Sequence, residues 1–308
     1  MPTRLIDCAP EVTSALEQGQ AVVALESSLI SNGLPWPENL ETALDAQRAI
    51  RDVGGIPATI GVVGGRVRVG MSDSEIEALA NSHACVKASR RDLAAAIVEG
   101  ADAGTTVSAT LAVARRVGIS VLATGGIGGV HRGASESFDI STDLDELGRA
   151  DGALVVCSGM KNLLDIPATM EVLESKGVLV VGYRTRLLPG FTAISASIPL
   201  DWAVHAPEEA AAVWRAHRAI ANPGAVVLVN PVPASVALPA EEADTALARA
   251  LALAAARKIR GKALTPFLLA QIREFTTGRS LAANRALIVA NSQLAARVAV
   301  CGTQAGRE

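Results

Sequence analysis

Five apolar stretches of the chain run out onto residues able to do chemistry. "AVVAL" ends on Glu26, followed by Ser27 and Ser28. "ACVKAS" carries Lys87 and leads into Ser89, Arg90, Arg91 and Asp92. "ISVLA" opens into "TGGIGGVHRG", with His131 and Arg132, and then into "FDISTD", with Asp139, Ser141, Thr142 and Asp143. "LVVCSGM" leads to Lys161, and "AVVLV" stops on Asn230. A carboxyl in a partly apolar site has a raised pKa and is fit to donate a proton. An unprotonated lysine amine attacks carbonyl carbon. Glycine-rich backbone, lysine and arginine hold phosphate or sugar oxygens. An aspartate with few protein neighbours suits a hard divalent cation that keeps several waters.

Each group also has a plainer reading. Glu26 serves equally well as an exposed turn carboxylate or a helix cap. Lys161 stands four residues before Asp165, a spacing that pairs the two on a helical turn. Ser141 or Thr142 caps "TDLDEL", with Asp143 and Asp145 favouring the N-terminus of that helix; this leaves Asp139 unexplained. "KASRRD" reads as a solvated helix start with an internal ion pair. "TGGIGGVHRG" contains neither GxGxxG nor GxxxxGK[ST], which disfavours a dinucleotide or triphosphate loop. "FDISTDLDEL" lacks the central glycine and closing glutamate of an EF-hand.

The elements that must position these groups alternate. Strands are expected at 20–26, at 57–70 as a hairpin turning on Gly64–Gly65, and at 84–89, 119–123, 152–157, 177–183 and 225–229. Leu40, Ala43, Leu44, Gln47 and Ile50 fall at helical spacing before Gly54 and Gly55. Ser72 and Glu75 form a capping-box pattern. "RRDLAAAIVEGA", "TTVSATLAVARRVG" and "PATMEVLESK" read as helices, as does the remainder from Glu241 onwards. This alternation predicts a three-layer α/β/α protein with a central mixed, largely parallel sheet. In such sheets ligands gather at the carboxyl ends of strands. No repeat or linker interrupts the 308 residues, so one domain over 1–308 is expected.

Composition narrows the classes. Half the residues are hydrophobic and 19% are charged, which fits a packed globular chain. Aromatics are 3%, so Ala, Val, Leu and Gly must do the packing. The net charge of −3, with both signs mixed, argues against a nucleic-acid binder. Cys8, Cys85, Cys157 and Cys301 form no CxxC pair, which argues against a disulfide framework or zinc site. "MPTRLIDCAPEV" lacks the apolar core of a signal peptide, and Gly, Pro or charge interrupts each apolar run before membrane-spanning length. The expectation is a soluble, reducing, cytoplasmic setting with no membrane partner.

Read in order, "ALESSLISNGLPWPEN", "PATIGVVGG", "VKASRRD", "TTVSATL", "ATGGIGGVHRG", "FDISTDLDEL", "CSGMKNLLD", "NPVP" and "TPFLL" resemble the pseudouridine-5′-phosphate glycosidase family, which is related to proteins found with indigoidine biosynthesis. The likeness runs from about residue 10 to about residue 295. It implies reversible cleavage of the C–C glycosidic bond of pseudouridine 5′-phosphate to uracil and ribose 5-phosphate, by a metal-dependent homotrimer with one Mn2+ per subunit. It implies Glu26 as proton donor, Lys161 as nucleophile and Asp139 as metal ligand. It implies Lys87, Val107, Ser141, Thr142 and Asp143 as substrate contacts. Arg90, Arg91, His131, Arg132 and Asn230 are further candidates for holding phosphate or sugar. A C–C glycoside has no leaving-group oxygen to protonate, so two carboxylates alone do not suffice. A lysine imine on the ring-opened ribose supplies the missing electron sink. The family often has His in "ISHG", where this chain has Asn32, which bears on fine substrate contacts. A same-fold enzyme for another phosphosugar nucleoside and a non-catalytic phosphosugar-binding protein are the competing readings.

Overall fold

The computed structural model describes residues 5–194, 196–259 and 261–304. Residues 1–4, the start of the segment read for a leader, lie outside the described residues, as do the last four residues of the expected helical tail. Eleven strands are described: β1 (Ile6–Cys8), β2 (Val22–Leu25), β3 (Ile56–Val63), β4 (Arg66–Val69), β5 (Val86–Ala88), β6 (Ala103–Thr105), β7 (Val121–Ala123), β8 (Leu154–Cys157), β9 (Leu179–Tyr183), β10 (Ala203–Val204) and β11 (Val226–Val229). They run in the order β1-β4-β3-β2-β7-β8-β11-β9-β10, with β6 also on β3 and β5 on β6. From β3 to β10 every neighbour on this path is parallel. The sheet turns mixed at β3, whose first half pairs β2 in parallel and whose second half pairs β4 and β6 antiparallel. The expected three-layer α/β/α architecture is present.

Alternation along the buried strands sends side chains to two cores. Val22, Ala24, Val155, Cys157 and Val227 join the helices Val107–Val117, Thr142–Leu147 and Ile166–Ser175 on one face. Val23, Leu25, Val121, Val156 and Leu228 join Glu38–Arg51, Pro207–Ala219 and Arg279–Gln304 on the other. Burial of one such Val, Leu or Ile is worth about 1.5–3 kcal/mol. The long helix Arg279–Gln304 crosses the sheet over β2, β7 and β8 and packs on Glu38–Arg51 and Pro207–Ala219. The segment Arg279–Thr303 is long and apolar enough to cross a membrane by length and composition, contrary to the expectation for every apolar run. Half of its most apolar window is buried within the protein, where the apolar face meets the sheet.

Local signals act as expected at several points. Gly64 and Gly65 both have positive φ (56° and 73°), as the tight hairpin turn between β3 and β4 requires. The Ser72 amide donates to Glu75 Oε2 (2.9 Å) and the Glu75 amide to Ser72 Oγ (3.3 Å), closing the capping box. The expected helix at 90–101 is a 3-10 turn, Arg90–Asp92, followed by Leu93–Val98. Strands β1, β6 and β10 were not legible in the sequence. Each has three residues or fewer and too short an apolar run to show a period. No disulfide joins the four cysteines.

Candidate active site

The crossover leaving β2 uses Glu38–Arg51 on one face, and the crossover from β7 to β8 carries Thr142–Leu147 on the other. Neighbouring connections that depart to opposite faces open a crevice at the strand ends. Glu26 stands there, one residue past β2, and is 5% exposed. Thr124 Oγ1, from the end of β7, donates to one carboxylate oxygen of Glu26, and Ser28 Oγ donates to the other. Ser27 fastens this strand end: its Oγ donates to the Ile60 carbonyl (2.6 Å) and accepts from the Thr105 amide (2.9 Å). Glu26 is therefore neither an exposed turn residue nor a helix cap.

Lys161 arrives by a turn that only glycine makes comfortably. Gly159 has φ +83°, and a Cβ there would sit 2.8 Å from the Pro189 carbonyl oxygen. Met160 then bridges in parallel to Ile127, and the Lys161 amide donates to the Ile127 carbonyl (3.3 Å). Asp165 does not pair with Lys161. It caps the helix Ile166–Ser175, with Oδ1 accepting from the Ala168 amide (3.1 Å).

The glycine loop and the "FDISTD" segment fold onto each other. The His131 amide donates to the Asp139 carbonyl (3.0 Å) and the Ser141 amide to the Gly129 carbonyl (3.0 Å). Asp143 is buried, with Oδ1 accepting from the Ser108 amide (2.9 Å) and Oδ2 from the Gly128 amide (2.9 Å). A Cβ at Gly128 would lie 2.7 Å from Ser141 Cβ and 2.9 Å from Asp143 Oδ2, so close approach explains this glycine. Ser141 is the helix cap, accepting from the Asp143 amide (3.2 Å).

These elements enclose one cleft with a polar and an apolar compartment. The polar compartment, of about 330 Å³, is lined by Lys87, Arg91, Val107, His131, Asp139 and the run Ser141–Asp143. The apolar compartment, of about 50 Å³, is lined by Leu29, Leu34, Phe191, Leu269 and Ile288, together with Asn32 and Asn284. Glu26, Ser28, Lys87, Lys161 and Thr265 line both. Burial lowers the pKa of His131, Asp139 raises it, and Lys161 and Lys87 lower it further, so these four groups share one electrostatic neighbourhood.

Three expected contacts lie elsewhere. Arg90 does not line the cleft. Its Nη1 pairs with Glu146 (2.9 Å), a 1%-exposed carboxylate that also receives Arg149 (3.0 Å) and Arg115 (3.8 Å). Asn230 lies beneath the cleft and donates to Asn291 Oδ1 (3.0 Å). Arg132 is exposed and lines a separate cavity with Asp165. For Arg90 and Asn230 a nearer polar partner decided the direction, which sequence spacing does not encode.

Sequence reasoning missed Thr124, Thr265, Asn284 and Asn291. Asn291 is wholly buried; its Nδ2 donates to the Thr124 carbonyl (2.9 Å) and to Ser158 Oγ (3.1 Å), and its Oδ1 accepts from Asn230. It ties together the ends of β7, β8 and β11. The available signal was two asparagines, Asn284 and Asn291, seven residues and thus two turns apart within a helix rich in Ala, Leu and Val. Asp139 brings one half-buried carboxylate to the polar compartment. Among the described residues no cluster of three or more His, Cys, Asp or Glu is placed to hold a metal. The donor set therefore fits a hydrated divalent ion held by one carboxylate and by substrate oxygens, not a closed protein cage.

The family model described as "Indigoidine synthase A like protein" matches residues 11–301. The chain belongs to the indigoidine synthase A-like family. Among its relatives, the pseudouridine-5′-phosphate glycosidase of Herpetosiphon aurantiacus is 49% identical over 97% of this chain and 98% of its own. That of Caldanaerobacter subterraneus is 45% identical over 96% of each. Of solved structures, the prealnumycin C-glycosynthase AlnA in complex with ribulose 5-phosphate superposes with a TM-score of 0.90, at 35% identity and 99% coverage of both chains. An indigoidine synthase A-like protein from Thermotoga maritima gives 0.86, at 34% identity over 96% of this chain and 95% of that one. In this indigoidine synthase A-like protein one wide turn, Leu29–Gly33, presents Asn32 to the apolar compartment. The Leu34 amide closes the turn on the Leu29 carbonyl (3.0 Å), and Asn32 Oδ1 accepts from Ser31 Oγ (2.7 Å).

Proposed function

We propose that this protein is a pseudouridine-5′-phosphate glycosidase, releasing uracil and ribose 5-phosphate through an imine on Lys161. The observation that carries the reading is the position of Glu26 and Lys161 on the shared wall between a polar, cation-bearing compartment and an apolar one. The first has the room and the cations for a phosphopentose, and the second, about 50 Å³, offers an apolar wall to the face of a planar base. Full-length relatives named for this activity, and a structural neighbour complexed with ribulose 5-phosphate, support it.

The phosphate lies with Lys87 and Arg91, at the start of the helix Val107–Val117. There the helix dipole and the main-chain amide of Val107 favour an anion. His131, Ser141 and Thr142 face the sugar. Asp143 acts indirectly, because its two oxygens already hold the Ser108 and Gly128 amides. Opening of the ribose ring lets Lys161 Nζ bond to C1. Glu26 moves the proton that arrives at C5 of uracil. The C1–C5 bond then breaks, its electron pair staying with the base as the nitrogen lone pair forms C1=N. Water hydrolyses the imine and frees Lys161, so one water is consumed per turnover. Asp139 would hold a divalent cation such as Mn2+, which supplies polarisation of substrate oxygens when bound. A single domain over residues 1–308, a homotrimer and a cytoplasmic setting complete the proposal.

The test is uracil release from pseudouridine 5′-phosphate, with and without Mn2+ and a chelator. It is paired with borohydride trapping of ribose 5-phosphate. Trapping should add the mass of the reduced sugar phosphate to the peptide holding Lys161, and Lys161→Ala should abolish turnover and adduct together. Near-normal turnover in Lys161→Ala would sink the imine mechanism.

A further inference from the structure

Three elements that wall the polar compartment meet again behind it. The 3-10 turn Arg90–Asp92 carries Arg91 to the cleft, the helix Val107–Val117 begins there with Val107, and the helix Thr142–Leu147 begins there with Thr142 and Asp143. Three residues beyond Asp143 stands Glu146, which does not line the cleft. It is buried, and three guanidinium groups reach it: Arg90 Nη1 (2.9 Å), Arg149 Nε (3.0 Å) and Arg115 Nη2 (3.8 Å). Arg90 belongs to the turn and Arg115 to the helix Val107–Val117, so one carboxylate joins all three walls. Arg149 lies three residues further along the same segment, so its side chain links no second element. The Arg90 amide also donates to Ser108 Oγ (3.4 Å), and Asp92 Oδ2 closes the turn by accepting from the Ser89 amide (2.9 Å). Successive side chains of a 3-10 turn point about 120° apart. Holding Arg90 on Glu146 therefore aims Arg91 elsewhere, and the cleft is where it points. A buried ion pair adds little net stability, because desolvation offsets the attraction, but well-made hydrogen bonds let it fix geometry.

We propose that Glu146 is a positioning residue for phosphate recognition, setting Arg91 through Arg90 and the first turn of the helix Val107–Val117 through Arg115. The inference rests on the glycosidase reading, which puts the phosphate with Lys87 and Arg91. Glu146 itself never meets substrate. The phosphate is remote from the C–C bond that breaks, so its grip is the same in the ground state and the transition state. Loosening that grip raises KM and leaves kcat in place.

The experiment measures uracil release from pseudouridine 5′-phosphate by the full-length protein, with inhibition by ribose 5-phosphate and by uracil. Arg90 is partly exposed, and cutting it leaves Glu146 its two other arginines. Arg90→Met should raise KM at least about fivefold with kcat within about threefold. The inhibition constant for ribose 5-phosphate should rise with KM, while that for uracil stays put. Arg90→Lys, which keeps the charge but not the planar fork, should fall between. Glu146→Gln keeps an oxygen for Arg90 and places its amide where Oε1 makes no hydrogen bond among the described residues. It should fold and raise KM less than Arg90→Met does. The double variant should match Arg90→Met within about twofold, because both substitutions break one link. Arg149→Met removes a charge from the same cluster without untying an element, and its KM should stay within about twofold of the parent. An unchanged KM in folded Arg90→Met would overturn the inference alone, as would a fall in kcat with KM unmoved. Equal KM rises in Arg149→Met and Arg90→Met would replace positioning by simple charge balance. Effects that multiply in the double variant would also refute it. A parent protein that releases no uracil would bring down the glycosidase reading and this inference with it.

Discussion

Replacing Glu26 by glutamine keeps the shape of the side chain and removes its ability to carry a proton. Thr124 and Ser28 each donate a hydroxyl to one of the two carboxylate oxygens. In Glu26→Gln one hydroxyl still meets an oxygen. The other meets an amide NH2, and a hydroxyl rotor can turn to accept from it. Two charge-assisted hydrogen bonds become two neutral ones, a loss of about 1 kcal/mol for each. A positioned general acid or base is worth about 10²–10⁴ in rate, or roughly 2.7–5.5 kcal/mol of barrier at 1.36 kcal/mol per tenfold. The effect on turnover therefore exceeds the effect on folding. Uracil release should fall by at least about a hundredfold, while thermal unfolding shows a native cooperative transition. Imine formation with free ribose 5-phosphate needs no proton at the base, so borohydride trapping at Lys161 should persist in Glu26→Gln. Turnover above about a tenth of the parent, in a folded variant, would refute the assignment of Glu26 to the proton step.

Other outcomes follow from the same geometry. Asp143→Asn sets an amide NH2 against one of two buried backbone N–H groups, and should cost about 1–3 kcal/mol in urea unfolding; an unchanged midpoint counts against the bridging role. Burial pushes the Cys157 thiol up to about 12. Iodoacetamide at pH 8 should therefore label Cys157 only in the unfolded chain, as peptide mapping would show. Hydrogen bonding by Arg66, against some desolvation and helped by the charges of Arg66 and Arg68, holds the Asp7 carboxyl below the usual carboxylate range. A depressed carboxylate stabilises the fold above its unfolded value, about 3.9, and that contribution is lost as pH falls through the lower folded value. Asp7→Asn should thus flatten the acid limb of stability below about pH 4, with only a small effect at pH 7 because the pair is solvated.

The strands that built the cleft were legible because each is a buried run of Val, Leu, Ala and Ile interrupted by glycine or a polar residue. The short strands β1, β6 and β10 escaped, because no longer apolar run surrounds them to show a period. Within the site, the type of each residue was legible and its direction often was not. Arg90 and Arg91 are adjacent in the sequence, yet Arg91 lines the cleft while Arg90 turns to the buried Glu146. Asn230 follows β11 as expected but is committed to Asn291, 61 residues away.

The sequence by itself determined the alternating α/β layers, the reactive residue types at the strand ends and, through ordered motifs, the family. Hydrophobic periodicity and glycine placement act over a few residues, so a local reading recovers them. Only the tertiary structure decided that Thr124 meets Glu26 across 98 positions and that a buried asparagine ties three strand ends together. Those contacts form where strands far apart in sequence become neighbours in one sheet, and a buried polar group then takes whichever partner that packing brings within reach.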